Sequence, residues 1–307
     1  MKIRSSVDIG TNSVLLLITK IKNGEIEPVE ELLRVPRLGR GVDENRELQD
    51  DSIHRVLDVL NEYYHYLKKH YPGSEKDTIV TATSAVRDAG NRREFIQRVE
   101  KETDWKIRLL SGNEEAETTF RGALSVLNHF EPAEKIAVLD IGGGSTEIAI
   151  GSIGGLQQFI SLDMGSVRFS ERFFSEFPVR QDQVGSLKNE ADKMLKDSGI
   201  DPGNIDYSIG VAGTVTSIAA IKIGLKAYQP DILNNYRLSK SFIEEFVETI
   251  IKMTPDAIEE RYPLFLENRG DVILGGLLIL LSYMNWADMQ HIIISTGGIR
   301  HGILLPE

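Results

Sequence analysis

Apolar side chains recur at Ile53, Val56, Leu57, Leu60, Tyr64 and Leu67, three or four residues apart, which predicts an amphipathic helix from about Asp51 to Lys69. Short β-rich runs alternate with such helices. A strand is predicted over 78–83, a helix over 92–102, a strand over 106–110 and a helix over 114–130. This alternation predicts an α/β fold. After His129-Phe130-Glu131-Pro132 the pattern restarts with a strand over 135–139, so the domain boundary is placed there: 1–130 forms one domain and 131–307 a second. Farther on, a strand over 207–209 leads into a helix over 215–223, and a strand over 291–294 leads into a short terminal helix, which is expected to pack back on the first domain. The longest apolar run, 272–284, contains Gly275, Gly276 and Ser282 and is shorter than the ~20 residues that span a bilayer, so it reads as a buried helix.

An internal repeat reinforces the boundary. Asp8-Ile9-Gly10-Thr11-Asn12-Ser13 is echoed by Asp140-Ile141-Gly142-Gly143-Gly144-Ser145, an offset of 132 residues from Asp8 to Asp140. Each copy follows a strand-like run and precedes another, 14–18 in one half and 146–150 in the other. Each half therefore opens with a β-hairpin whose turn is polar and glycine-rich, and duplication implies two similar domains facing each other across a cleft.

Length fits this division, because 307 residues exceed the roughly 250 to 300 at which single cores stop growing. The absence of cysteine excludes disulfides, thiolate nucleophiles and zinc fingers, so any metal would sit on oxygen or imidazole, and the six histidines show no His-x-His or His-Glu-x-x-His spacing to support a zinc hydrolase. A net charge of −11 argues against nonspecific nucleic-acid binding while leaving room for a local basic groove. The N-terminus carries no signal-peptide pattern, and a cytoplasmic protein without membrane association is expected.

The hairpin turns carry the first candidate chemistry. Small residues let backbone N–H groups approach an anion, the hydroxyls of Thr11, Ser13, Ser145 and Thr146 add donors, and Asp8 and Asp140 can face a cation. Thr11, Asn12, Ser13, Gly142, Gly143, Gly144, Ser145 and Thr146 are thus candidate phosphate-binding residues, against the plainer reading of two tight hairpins. A third glycine-rich turn, Gly210 to Thr214, precedes a helix whose N-terminus can hold an anion through Gly213 and Thr214. A fourth, Ser295 to Gly298, reads equally as ligand contact or helix start. No Gly-Lys dipeptide occurs and no Gly-x-Gly-x-x-Gly follows a strand, which removes Walker A and Rossmann readings. Arg87 and Glu115 lie where strands end, the side on which doubly wound sheets bind ligands. Arg87 can grip phosphate bidentately. Glu115, in the first turn of a helix capped by Ser111 or Asn113, suits an ionised general base, but the pair Glu114-Glu115 equally suits plain stabilisation of a helix N-terminus.

Together these residues resemble a known family. The segments Asp8 to Ser13, Ala82 to Arg87, Ser111 to Ala116, Asp140 to Glu147 and Gly210 to Thr214, joined by Leu38 to Asp43 and Arg269 to Gly275, are similar to the ordered motifs of the exopolyphosphatase and guanosine-pentaphosphate phosphohydrolase family over nearly the whole chain. The resemblance implies duplicated ribonuclease-H-like domains of the actin-like ATPase superfamily. It implies release of terminal orthophosphate from polyphosphate by Mg2+-assisted attack of water. It matches Glu115 to the catalytic base, Arg87 to a phosphate-gripping residue, and Asp8, Asp140 and Glu147 to acidic positions around the magnesium. Glu117 departs from the arginine common after this motif in longer members. The chain looks like a short form without their extra helical domains, which implies weaker processivity and makes guanosine pentaphosphate an alternative substrate. Arg34, Arg37, Arg40 and Arg46 could guide such a polyanion or simply face solvent.

Two readings of other kinds stay open: an ATP-binding sugar kinase or actin-like assembly protein, with Gly297 and Gly298 at adenosine, and a non-catalytic sensor of guanosine tetraphosphate. A homodimer is also open.

Overall fold

The computed structural model describes residues 2–22, 25–128, 130–131 and 134–306. His129 and Pro132, part of the predicted boundary segment, lie outside these described residues. The chain divides into two compact units, 1–122 with 299–307, and 123–298. The sequence placed the division at 130/131; here the chain passes from one unit to the other within the helix Gly112–Ser125, and the terminal residues belong with the first unit.

In the first unit, β1 (Lys2–Ile9), β2 (Val14–Lys22) and β3 (Glu25–Arg34) form an antiparallel meander. Next to β1 run β4 (Ile79–Ala82) and then β5 (Ile107–Leu109), both parallel, giving the order β3-β2-β1-β4-β5. Period-two alternation sets the faces: Val7 and Ile9 are buried in the core, while Asp8 points to the other side. The amphipathic helix Asp50–His70 lays Ile53, Val56, Leu57, Leu60 and Leu67 onto that core, joined by Phe95 and Val99 of the helix Arg92–Thr103.

The second unit repeats the plan. Its strands β6 (Ile136–Ile141), β7 (Thr146–Ser152) and β8 (Gly155–Leu162) form the meander. Beside β6 lies parallel β9 (Tyr207–Val211), followed by a two-strand extension in which β10 (Arg237–Ser239) forms the edge and β11 (His291–Ile294) pairs parallel with β9. The order is β10-β11-β9-β6-β7-β8. Apart from the extra edge strand, this is the first sheet again. Both sheets have the ribonuclease-H-like order, a meander followed by parallel strands. The apolar run predicted as a buried helix forms Ile273–Trp286, buried on every side from Ile273 to Met284. Among the described residues no helix is long and apolar enough to cross a membrane.

Two local expectations are corrected, and two strands go beyond them. The helix predicted over 114–130 spans Gly112–Ser125, and it closes with a tighter turn in which the N–H of Leu127 donates to Leu124 O. The helix predicted from Val215 begins at Ala212, directly after β9, because Ala212 adopts φ 66° and turns the chain sharply. The strands β3 and β8 carry no clean alternation; as sheet edges they keep polar residues in solvent, and β3 includes Pro28.

Candidate active site

The two hairpin loops have the same internal geometry. Ile9 faces Val14 and Ile141 faces Thr146 as the closing pairs. Across each turn a glycine N–H donates to a serine carbonyl, Gly10 to Ser13 at 2.9 Å and Gly142 to Ser145 at 3.0 Å.

Each loop is then gripped by its carbonyls. Thr11 O accepts the N–H of Gly39 at 2.7 Å and Asn12 O accepts that of Arg37 at 3.0 Å. A Cβ on Gly39 would collide with the side chain of Thr11, so glycine is required for this approach. In the second loop Gly142 O accepts the N–H of Ser166 at 2.9 Å, and Gly143 O accepts those of Val167 at 2.9 Å and Arg168 at 3.0 Å. These donors open the helix Ser166–Phe173, and here Gly165 is the residue whose Cβ would collide with the loop backbone. A trans peptide carries its C=O and the next N–H on opposite sides. Holding the carbonyls therefore aims the N–H groups of Asn12, Ser13, Gly143 and Gly144 the other way. Among the described residues none of these four donates to a protein acceptor. Such rows of outward N–H groups are anion-binding nests.

The hydroxyls are less available than the sequence suggested. Thr11 Oγ1 shares a hydrogen bond with Ser84 Oγ at 2.9 Å, and Thr146 Oγ1 donates to Met164 O inside the fold. Thr146 is fully buried, so its hydroxyl serves the loop and corrects the expectation of a ligand donor.

In the first unit the structure brings together Thr11, Ser84, Arg87 and Glu115. Ser84 opens the one-turn helix Ser84–Asp88, which carries Arg87. Arg87 Nη1 donates to Leu110 O at 3.1 Å and to Glu115 Oε2 at 2.8 Å. Glu114 and Glu115 are separated decisively. The N–H and hydroxyl of Ser111 donate to Glu114 Oε2, and the N–H of Glu114 donates back to Ser111 Oγ, a capping box that holds this carboxyl at about 2. Helix stabilisation is therefore the work of Glu114, which is exposed, while Glu115 is 5% exposed beside Arg87.

Asp8, the last residue but one of β1, has its Oδ1 buried and lacking a hydrogen-bond partner among the described residues. Burial pushes its carboxyl up to about 6, partly offset by the charge of Arg300 and by the nearby Thr81 side chain. Arg300, absent from the sequence-based candidates, is held by Glu31 at 2.7 Å, and its carbonyl accepts Ser6 Oγ at 2.6 Å.

In the second unit Asp140 and Glu147 are direct cross-strand partners on one face of β6 and β7. Ser161 donates to Glu147 Oε1 at 2.6 Å. The first hairpin has no such pair, since Leu15 occupies the position opposite Asp8. Two hard carboxylates facing each other suit a largely hydrated Mg2+, although among the described residues no three His, Asp or Glu side chains converge as a ready metal site.

Gly213 and Thr214 fall in the first turn of the helix Ala212–Ile223 rather than in a loop. Over Gly213 lies the guanidinium of Arg269, which leaves no room for a Cβ there and donates to Ser217 Oγ at 3.3 Å. Arg269 is buried, and desolvation lowers its pKa. In the fourth turn Ser295 Oγ donates to Ala123 O and accepts the N–H of Gly297, and the helix Ile299–Gly302 follows. Of the four arginines at 34, 37, 40 and 46, Arg34 pairs with Glu62 at 2.5 Å, Arg37 contributes its backbone to the first loop, and Arg40 and Arg46 are exposed.

A duplicated ribonuclease-H-like fold thus carries an anion-binding nest on each leading hairpin. Comparison with known proteins narrows this. The model of the Ppx/GppA phosphatase family matches residues 17–307, and the chain belongs to that family of phosphohydrolases. It is 30% identical to exopolyphosphatase 2 of Mycobacterium tuberculosis, over 98% of this chain and 97% of that protein. It is 33% identical to a bifunctional 3-dehydroquinate synthase/phosphatase of Fusobacterium nucleatum over 99% of this chain, and spans 46% of that longer protein. A crystal structure of an exopolyphosphatase-like protein superposes with a TM-score of 0.90 at 30% identity, covering 99% of this chain and 98% of the other.

Proposed function

We propose that the chain releases terminal orthophosphate from inorganic polyphosphate. The observation that carries this reading is the repeated hairpin whose carbonyls are held from behind so that its N–H groups point outward. Two such nests in one chain suit a ligand built of repeated phosphates, and the relative from Mycobacterium tuberculosis is named for that activity. Glu115 is the base: it takes a proton from the water whose oxygen attacks the terminal phosphorus, while the bond to the bridging oxygen breaks and the shortened chain leaves. Arg87 beside it grips the phosphate being transferred. In the second unit Asp140 and Glu147 are the residues that would hold Mg2+, which when bound neutralises charge on the phosphoryl oxygens, and Asp8 is the acidic candidate of the first unit.

The same chemistry would serve guanosine pentaphosphate. Phosphate release from tripolyphosphate, long-chain polyphosphate, ATP and guanosine pentaphosphate, with and without Mg2+, tests the reading. Release should be greatest from a polyphosphate. Turnover of ATP alone would refute it and favour an ATP-binding module.

A further inference from the structure

The carbonyls of the glycine-rich loop in the second unit are not all held in the same way. Backbone N–H groups take those of Gly142 and Gly143, but Gly144 O accepts a side-chain donor, Arg168 Nε, at 2.6 Å. In the first hairpin the equivalent carbonyl, Asn12 O, is held by the backbone amide of Arg37. A side chain has here replaced a main-chain contact, and the peptide it holds is the one whose N–H belongs to Ser145. That N–H has no protein acceptor among the described residues.

We propose that Arg168 is a positioning residue, which through the Gly144 carbonyl aims the N–H of Ser145 at a phosphate of the substrate. The inference rests on the functional reading above. Arg168 is 6% exposed, and its guanidinium lies 3.9 Å from Asp163, a carboxylate in solvent. An exposed carboxylate at that distance contributes little, whereas a short charge-assisted bond to a buried carbonyl fixes a peptide plane. The bond can form because Gly165 brings the helix start against the loop backbone. Residues 166 to 168 then reach three successive carbonyls.

The role is tested by two uncharged substitutions, one with a donor and one without. In glutamine Nε2 is bonded to Cδ, as Nε is in arginine, so Arg168→Gln keeps a donor toward Gly144 O and loses the charge. Arg168→Met keeps much of the length and has no donor. A group that only orients the loop supports substrate and transition state alike, so KM should move more than kcat. Arg168→Met is expected to raise KM for tripolyphosphate, and its calorimetric Kd, by about tenfold, the scale of one charge-assisted hydrogen bond. Arg168→Gln should recover most of that loss. Thermal unfolding of both variants reports the fold separately. Equal KM and Kd for Arg168→Met and wild type would overturn the inference while leaving the functional reading intact. Equal losses in both variants would also overturn it, in favour of direct attraction by the guanidinium charge. A wild-type protein that neither binds nor hydrolyses tripolyphosphate would overturn both.

Discussion

Replacing Asp8 by asparagine should stabilise the protein at neutral pH while weakening its function. The carboxyl of Asp8 rises from 3.8 to about 6, with burial as the largest cause. Because the folded value lies above the unfolded one, the native state keeps a proton that the unfolded chain gives up. Below about pH 4 both states are protonated and the charge costs nothing; between about pH 4 and 6 stability falls as pH rises, and above that the cost is complete. A shift of about 2 units corresponds to about 3 kcal/mol. Since the side chain is only partly buried, with Oδ1 closed off and the rest reached by solvent, we expect about 1 to 3 kcal/mol. For a chain of this size that is roughly 2 to 10 °C in Tm. Thermal unfolding of Asp8→Asn and wild type, without divalent cations, should show the variant melting higher at pH 8 and the difference vanishing near pH 4. A variant that melts lower at pH 8, or by the same margin at both pH values, would refute the idea of a strained, buried charge. Such a charge, costly in the free protein, fits a residue kept for its ligand.

The proton-accepting role of Glu115 predicts that Glu115→Gln lowers kcat by ~10²- to 10⁴-fold in a folded protein, while Glu114→Gln, which still caps the helix, keeps its turnover. Equal losses in phosphate release would remove the assignment. Gly39→Ala should lower stability by about 1 to 3 kcal/mol and raise KM, because its methyl group displaces Thr11 from the first loop; unchanged urea midpoint and KM would show that the approach is not needed. Excess chelator should abolish phosphate release and Mg2+ restore it, whereas full activity in chelator would end the metal reading.

The hairpins were legible in the sequence because a strand, a turn and a second strand are a local matter: alternation marks Val7 and Ile9 against Asp8, and the glycine at the turn is followed by small polar residues. Duplication doubled that signal, and the repeat alone matched Asp8 with Asp140. The α/β class followed from the change of period between strand and helix. The helix start at Ser111 was legible as well, but the sequence left open which glutamate caps it. Only the structure showed that Glu114 turns back to Ser111 while Glu115 reaches Arg87, 28 positions away. The same holds for what aims each loop. Gly39 against Thr11, Arg168 on Gly144, Arg269 over Gly213 and Arg300 beside Asp8 join residues far apart in the chain. Such contacts leave no period in the sequence, since they depend on where packing of the core delivers each backbone. The edge strands β3 and β8 escaped for the opposite reason: with both faces largely out of the core, nothing forces their residues to alternate.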